Sequence, residues 1–141
     1  MSEKHEALVK EFLSAWGDGN RKNPDKERIL SMMSPDAEWL VWVGPDDNLR
    51  RGHEAISEEI DREAPMMEFL NCGIRSIASN DTTVFTERTD KFVCMGKPVT
   101  FDLVAVFDFD DDDRIKAWRE YFDSASVAKS MGMELEEINA Q

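Results

Sequence analysis

The chain has little basic charge, no long apolar run and very little cysteine or histidine. Of its 141 residues, 17 are Lys or Arg and 30 are Asp or Glu, so the formal net charge is -13. Nucleic acids and anionic membranes both require a basic surface on their partner, so this charge argues against both. No apolar run is long enough to span a membrane, and the first residues lack the features of a signal peptide. The sequence therefore predicts a cytoplasmic protein.

The few cysteines and histidines do not indicate a metal site. Cys72 and Cys94 follow no metal-binding or redox spacing, so we interpret them as two reduced thiols. The two histidines lie far apart in the sequence and form no cluster. The acidic run at residues 108–113 lacks the glycine and the distal glutamate of an EF-hand loop. We interpret this run as a solvated turn between two strands.

The first half of the chain carries three segments with helical patterns. Apolar residues recur at helical spacing from about Glu3 to Trp16. A second helix is predicted from Pro24, with Asn23 as its N-cap, to about Ser34-Pro35. A third helix is predicted over residues 52–63, because Pro65 disfavours helix just beyond it.

The other patterns predict β-strands. One strand is expected over residues 37–43, and four more over residues 67–77, 82–93, 99–109 and 114–122. Short turns separate the last four, which favours antiparallel pairing, and a final helix is expected after Ser124. With 141 residues, 41% of them hydrophobic, the chain is long enough for one domain with a sizeable core. We therefore predict a single α+β domain, residues 1–141, in which a strongly curved sheet wraps over three helices and leaves a pocket.

Three charged residues lie among apolar neighbours on two of the predicted strands. Arg88 and Asp90 are two residues apart, so their side chains share one face of a strand. Glu120 shares its face with Trp118 and Phe122. Buried charges are costly unless they pair, and one guanidinium can bridge two carboxylates. Such a group can fix the register of a sheet, or it can perform acid–base chemistry.

The segments around these charges resemble the limonene-1,2-epoxide hydrolase family, within the NTF2-like or SnoaL-like superfamily. The resemblance rests on Thr86-Glu87-Arg88-Thr89-Asp90, on the strand around Val106-Phe107 and on Trp118-Arg119-Glu120-Tyr121-Phe122-Asp123. It implies a cone formed by a curved sheet. It also implies a hydrolase that needs no cofactor and adds water to a small apolar epoxide.

The same resemblance implies a role for each of the three charged residues. Asp90 would be the general acid that protonates the epoxide oxygen, and Arg88 would bridge the two carboxylates. Glu120, in place of the family's aspartate, would be the general base that activates water. The family holds this water with a tyrosine and an asparagine on the first strand, where this chain has Trp39 and Val41.

Large apolar residues on the predicted elements can line a pocket for a small hydrophobic ligand. They can equally well only fill the core. They are Leu13, Trp16, Trp39, Val41, Phe101, Leu103, Trp118 and Phe122.

The sequence leaves two other functions open. The first is an isomerase resembling ketosteroid isomerase, which would need an oxyanion donor opposite its carboxylate base. Tyr121, the one tyrosine, is predicted to lie on the opposite face of its strand from Glu120. The second is a non-catalytic binding module for a small apolar molecule, or a protein-interaction domain. Phe85 and Val93 on the outer face of the sheet also predict a homodimer formed through that face.

Overall fold

The structure is a computed structural model that describes residues 2–42 and 48–132. In this part of the chain, helices pack against one six-stranded sheet. The predicted α+β class is therefore confirmed. Val43, which the sequence predicts as the end of the first strand, lies outside the described residues. No helix in the described ranges is long and apolar enough to cross a membrane.

The first and third predicted helices form where the sequence places them. Helix α1 (Glu3–Trp16) begins at the N-cap Ser2, whose hydroxyl oxygen accepts a hydrogen bond from the backbone N–H of His5 at 3.2 Å. The helix with range Gly52–Glu63, α3, begins at a φ of 85°, a left-handed conformation that glycine adopts without strain. The apolar stripe of α1 enters the core through Val9, Phe12, Leu13, Ala15 and Trp16.

The second helix, α2 (Lys26–Ser31), begins later than predicted. The predicted start at Pro24 with Asn23 as N-cap is wrong, because Asp25 is the cap. Its carboxylate accepts a hydrogen bond from a backbone N–H three residues further on, at 3.3 Å. The backbone N–H of Asp25 donates to the carbonyl oxygen of Ala15 at 2.9 Å. A contact with the end of α1 therefore fixes where α2 begins.

The predicted end of α2 is also wrong, because Met33 already belongs to the sheet. Strand β1 (Met33–Leu40) pairs Met33 with Ile115 of the last strand. The register of this pairing shifts between Met33 and Glu38, the segment that contains Pro35. Proline cannot donate a ladder hydrogen bond, so an irregularity at this place is expected.

Six strands form the sheet on which the helices pack. They are β1 (Met33–Leu40), β2 (Leu49–Arg51), β3 (Glu68–Ser79), β4 (Thr83–Cys94), β5 (Lys97–Phe109) and β6 (Ile115–Tyr121). Their order is β2-β1-β6-β5-β4-β3, with β1 and β6 parallel and the other neighbours antiparallel. The four long runs of the second half are confirmed, with ends shifted by one or two residues. β2 was not predicted, because three residues are too short to show an alternating pattern.

Two short helical segments complete the described part of the chain. A 3₁₀ turn (Ala64–Met66) follows α3 and leads into β3. Helix α4 (Ser124–Ser130) follows β6 as the sequence predicts, and the Asp123 carboxylate caps it by accepting from the backbone N–H of Ser126.

Strand β4 places the charged pair inside the fold. Its side chains alternate between buried and less buried along the whole strand, as expected when one face of a sheet packs on a core. The buried set is Val84, Thr86, Arg88, Asp90, Phe92 and Cys94. Three apolar residues and one threonine thus frame two charges, and those charges need partners within the core.

The end of α1 lies very close to strand β3. A Cβ atom at position 17 would lie 2.0 Å from the carbonyl oxygen of Leu70, which is too close for two non-bonded atoms. Glycine, which has no Cβ, fits here without a clash. The carbonyl oxygen of Gly17 accepts a hydrogen bond from the backbone N–H of Cys72 at 3.2 Å. This close approach brings Leu13 and Trp16 to the inner face of the sheet.

Candidate active site

Arg88 bridges two carboxylates inside the fold. Its Nε and Nη2 donate to the two oxygens of Asp90 at 3.1 and 3.0 Å, and Nη2 also donates to Glu120 Oε2 at 2.8 Å. Nη1 lies 3.5 Å from the hydroxyl oxygen of Thr86. Arg88 and Asp90 are 1% and 3% exposed, so water does not screen the pair. The structure brings together all three charges that the sequence singles out.

The surroundings of Glu120 shift its proton equilibrium to neutral pH. Burial and, to a lesser degree, the charge on Asp90 raise the pKa of its carboxyl group to about 7, against the opposing effect of Arg88. Burial opposes the charge on Arg88, but the two carboxylates together raise the pKa of Arg88, which stays protonated. At neutral pH Glu120 can therefore both accept and release a proton. Meanwhile the hydrogen bond from Arg88 holds the Glu120 side chain in place.

A small deep cavity lies beside these charges. It is lined by Arg88, Asp90 and Glu120 together with the side chains of three tryptophans. Its volume is about 30 Å³, which is room for on the order of two water molecules. The remaining lining residues are Leu13, Glu63, Met67, Leu70, Cys72 and Phe101.

The three tryptophans of the deep cavity form one contact group. Trp39 and Trp118 are stacked with ring centroids 4.7 Å apart, and Trp16 lies 5.2 Å and 5.3 Å from them. Their indole N–H groups are buried, and none has a hydrogen-bond partner among the described residues. A buried donor without a partner is costly, so these groups favour an acceptor such as water in the cavity.

A larger cavity, here called the outer cavity, shares part of its wall with the deep one, and both are partly open. Its volume is about 100 Å³, and most of its wall is apolar. Glu63, Met67, Phe101 and Glu120 line both cavities. The outer cavity is completed by Val41, Trp42, Asn48, Arg50, Arg62, Met66, Phe92, Phe122, Val127 and Met131. Glu120 thus borders both a water-sized space and an apolar space of ligand size.

Seven of the eight apolar residues singled out in the sequence line one of these cavities. Leu13, Trp16, Trp39 and Trp118 line the deep cavity, Val41 and Phe122 the outer cavity, and Phe101 both. Leu103 is the exception among the described residues. It is buried on the inner face of β5, opposite Arg88 in the strand register, and it fills the core there.

A second charged cluster at the outer cavity was missed by the sequence reasoning. Glu59 is 3% exposed, and its Oε1 accepts from Nε of Arg50 and from Nε of Arg62, each at 3.1 Å. Nη2 of Arg62 also donates to Glu59 Oε2. Glu63 lies one turn further along α3. The signal that could have found these carboxylates is their helical spacing, since they extend the buried stripe of α3.

The cysteines are free thiols, and one of them borders the site. Cys72 pairs with Asp90 in the register of β3 and β4, and it lines the deep cavity. Burial and the charge on Asp90 raise the pKa of this thiol well above its usual value, so it is not a nucleophile at neutral pH. Within the described residues there is no cluster of His, Cys, Asp and Glu that could hold a metal ion.

Comparison with known proteins gives a family and several similar structures. A family model of the SnoaL-like domain matches residues 9–118. No curated protein matches the sequence. A structure of an LEH-like epoxide hydrolase from M. tuberculosis is similar with a TM-score of 0.72 and 25% sequence identity, covering 96% of this chain and 95% of the other. The predicted NTF2-like fold is therefore confirmed.

Two further similar structures have other descriptions. A candidate polyketide cyclase from Xanthomonas campestris pv. campestris has a TM-score of 0.72 at 19% identity, covering 90% of this chain and 96% of that one. A hypothetical protein with a ketosteroid isomerase-like fold from Catenulispora acidiphila, in complex with trimethylamine, has a TM-score of 0.74 at 17% identity, covering 96% and 98%. At these identities the similarity shows the fold alone.

Proposed function

The chain belongs to the SnoaL-like domain family, and from its site we propose that it is a cofactor-independent hydrolase that adds water to a small apolar epoxide. The fold does not decide this, because similar structures are described as a hydrolase, a cyclase and an isomerase-like protein. The observation that carries the proposal is Glu120. This carboxylate, with a pKa of about 7, is held by a buried arginine between a water-sized cavity and an apolar one.

The deep cavity is suited to hold the attacking water. A water there can donate one hydrogen bond to the Glu120 carboxylate and accept another from an indole N–H, such as that of Trp39. In the family that the sequence resembles, a tyrosine and an asparagine hold this water. Here the acceptor would be Glu120 and the donor an indole, while Val41 lines the outer cavity and offers only apolar contact.

In the proposed reaction Glu120 removes a proton from this water as the oxygen attacks an epoxide carbon. A general base is most effective when its pKa lies near the working pH, which the value for Glu120 satisfies. Arg88 fixes the position of Glu120, and Asp90 fixes the position of Arg88 through two hydrogen bonds. The resemblance gives Asp90 a further role as proton donor to the epoxide oxygen.

The outer cavity supports an apolar substrate. Val41, Phe92, Phe101 and Phe122 belong to its largely apolar wall, and the cavity is partly open to solvent. Such a wall binds a hydrocarbon ring or chain, while the few polar groups orient its oxygen. We therefore propose a small cyclic or branched epoxide as the substrate class.

The test is diol formation from a panel of small cyclic epoxides, followed by gas chromatography. We expect turnover by the wild type, and a loss of about 10²-fold or more in Glu120→Gln, the range over which general bases contribute. Glu87→Gln is the matched control, because Glu87 lies on the exposed face of β4.

Two outcomes would contradict the proposal. Wild-type protein that forms no diol from any member of the panel would remove the hydrolase. Full turnover by Glu120→Gln would remove the assigned base. If members of the panel raise the melting temperature without giving product, the protein is a binding module for small apolar molecules, the main alternative.

For the assembly, we propose a homodimer formed through the outer face of the sheet. Phe85 is exposed there, and Val104 and Tyr121 are exposed and paired across β5 and β6. Val93, the second residue predicted for this surface, is half-buried on β4 and so contributes less exposed apolar area than Phe85. Adjacent exposed apolar side chains are typical of a surface that a partner covers. We place this dimer in the cytoplasm, in keeping with the acidic charge of -13.

A further inference from the structure

Glu63 is a carboxyl group of the site to which the sequence and the resemblance give no role. It is the last residue of α3, and it lines both the deep and the outer cavity. Its side chain is 15% exposed. Its Oε2 is buried and has no hydrogen-bond partner among the described residues, and Nη2 of Arg62 lies 3.9 Å from it. An unpartnered oxygen at the border of two cavities is available to a ligand.

Asp90, by contrast, is poorly placed to donate a proton. Both of its oxygens accept hydrogen bonds from Arg88, at 3.1 and 3.0 Å, so the guanidinium already engages the whole carboxylate. Protonating Asp90 would require giving up at least one of these bonds. Asp90 also lines the deep cavity, whereas the described residues that line the outer cavity do not include it.

The direction of epoxide opening separates the two carboxyl groups further. Water attacks carbon from the side opposite the breaking C–O bond, so the base and the acid must lie on opposite sides of that carbon. The deep cavity has room for on the order of two water molecules, so an organic substrate occupies the outer cavity. With water on the deep side, the epoxide oxygen points toward the outer cavity, which Glu63 lines and Asp90 does not.

The surroundings of Glu63 favour the protonated form of its carboxyl group. Burial raises the pKa of Glu63 well above its usual value, and the hydrogen bond and charge of Glu59 and the charge of Glu120 raise it further, while Arg62 opposes them. Burial opposes ionisation of Glu59, but its hydrogen bond with Glu63 and its contacts with Arg62 and Arg50 together lower its pKa. The other titratable groups of the shared cavities are Arg88 and Asp90 on β4 and Cys72 on β3.

We propose that Glu63, rather than Asp90, is the general acid that protonates the epoxide oxygen. This inference rests on the proposed hydrolase function. The proton of the Glu63 carboxyl passes to the epoxide oxygen as the C–O bond breaks, and a water proton passes to Glu120 as the new C–O bond forms. The products are a diol, the Glu63 carboxylate and a protonated Glu120. Both residues line the partly open cavity, so water there can return the proton from Glu120 to Glu63.

The kinetic test compares Glu63→Gln with the wild type on the best substrate of the epoxide panel. Glutamine has the shape of a protonated glutamate but cannot give up a proton, so we expect kcat to fall by about 10²-fold or more. The wild-type pH profile should be bell-shaped, since one carboxyl group acts as base and the other as acid, and the falling limb should be absent in Glu63→Gln. Asp90→Asn should retain the falling limb at whatever rate remains. Glu58→Gln, on the exposed face of α3, is the matched control.

A second measurement tests Glu63 without turnover. With carbon-13 in the glutamate carboxyl groups, the NMR signal that disappears in Glu63→Gln identifies Glu63. The proposal requires that this signal has the chemical shift of a protonated carboxyl group at neutral pH. A carboxylate shift at neutral pH would overturn the role of Glu63, even if no epoxide is hydrolysed.

The two proposals fail in different ways. Active wild type with an equally active Glu63→Gln, or with an unchanged falling limb in that variant, would leave the hydrolase standing and remove Glu63 as the acid. Wild type without diol formation from any epoxide would remove both.

Discussion

The raised pKa of Glu120 predicts that this residue costs stability as the pH rises. Its pKa is about 7 in the folded protein against a usual 4.5, a difference of about 2.5 units. The folded state therefore binds this proton more tightly than the unfolded state does. The stability from this group is fully present below pH 4.5 and is lost as the pH rises through 7. The Glu120 side chain is 13% exposed, so solvent screens it little.

The magnitude follows from the proton equilibria of the two states. The full shift corresponds to about 3.4 kcal/mol at about 1.36 kcal/mol per unit. Between pH 5 and pH 8 the loss of folding free energy due to this group is about 2.5 kcal/mol, because part of the change lies outside that window. The Glu120→Gln variant has no such proton to lose. From pH 5 to pH 8, the free energy of unfolding of the variant should therefore change by about 2.5 kcal/mol more favourably than that of the wild type.

Urea denaturation of both proteins at pH 5 and pH 8 measures this difference. Each protein gives a change in its free energy of unfolding between the two pH values. Subtracting one change from the other cancels the titration of the groups that both proteins contain, provided that those groups titrate independently of Glu120. A difference near zero would refute the assignment of a raised pKa to Glu120. A difference of opposite sign would mean that Arg88 outweighs burial, so that Glu120 is a structural ion-pair partner with a lowered pKa.

Three further predictions concern the buried charges, the close approach of α1 and the outer face. Arg88→Met leaves the buried Asp90 carboxylate without its partner, and should lower the free energy of unfolding by about 3–5 kcal/mol in urea denaturation at pH 7. A variant as stable as the wild type would contradict the structural need for this pair. Gly17→Ala places a Cβ 2.0 Å from the carbonyl oxygen of Leu70, so α1 must move, and a clear drop in melting temperature is expected, which an unchanged value would rule out. Light scattering at micromolar concentration should give a dimer for the wild type and a monomer for Val104→Glu, and a monomeric wild type would remove the proposed dimer.

Local patterns were sufficient to predict most of the elements and the charged triad. The alternation along β4 places Arg88 and Asp90 on one face, and a strand repeats every two residues wherever it lies in the fold. The stripe of α1 and the proline after α3 likewise depend on neighbours in the sequence. The start of α2 could not be predicted in this way, because a hydrogen bond from Asp25 to the end of α1 fixes it. β2 is too short to have a pattern at all.

The strand faces of Arg88, Asp90 and Glu120 follow from the sequence alone, since side-chain direction in a strand depends on position. The tertiary structure alone decided that Arg88 reaches both carboxylates and that Glu63 enters the same cavity from α3. The proton equilibria of Glu63 and Glu120 also arise only on folding, because burial and nearby charges from other elements set them. In the sequence Glu63 is an ordinary charged residue at the end of a helix. Its proposed role comes from the residues that the fold packs around it.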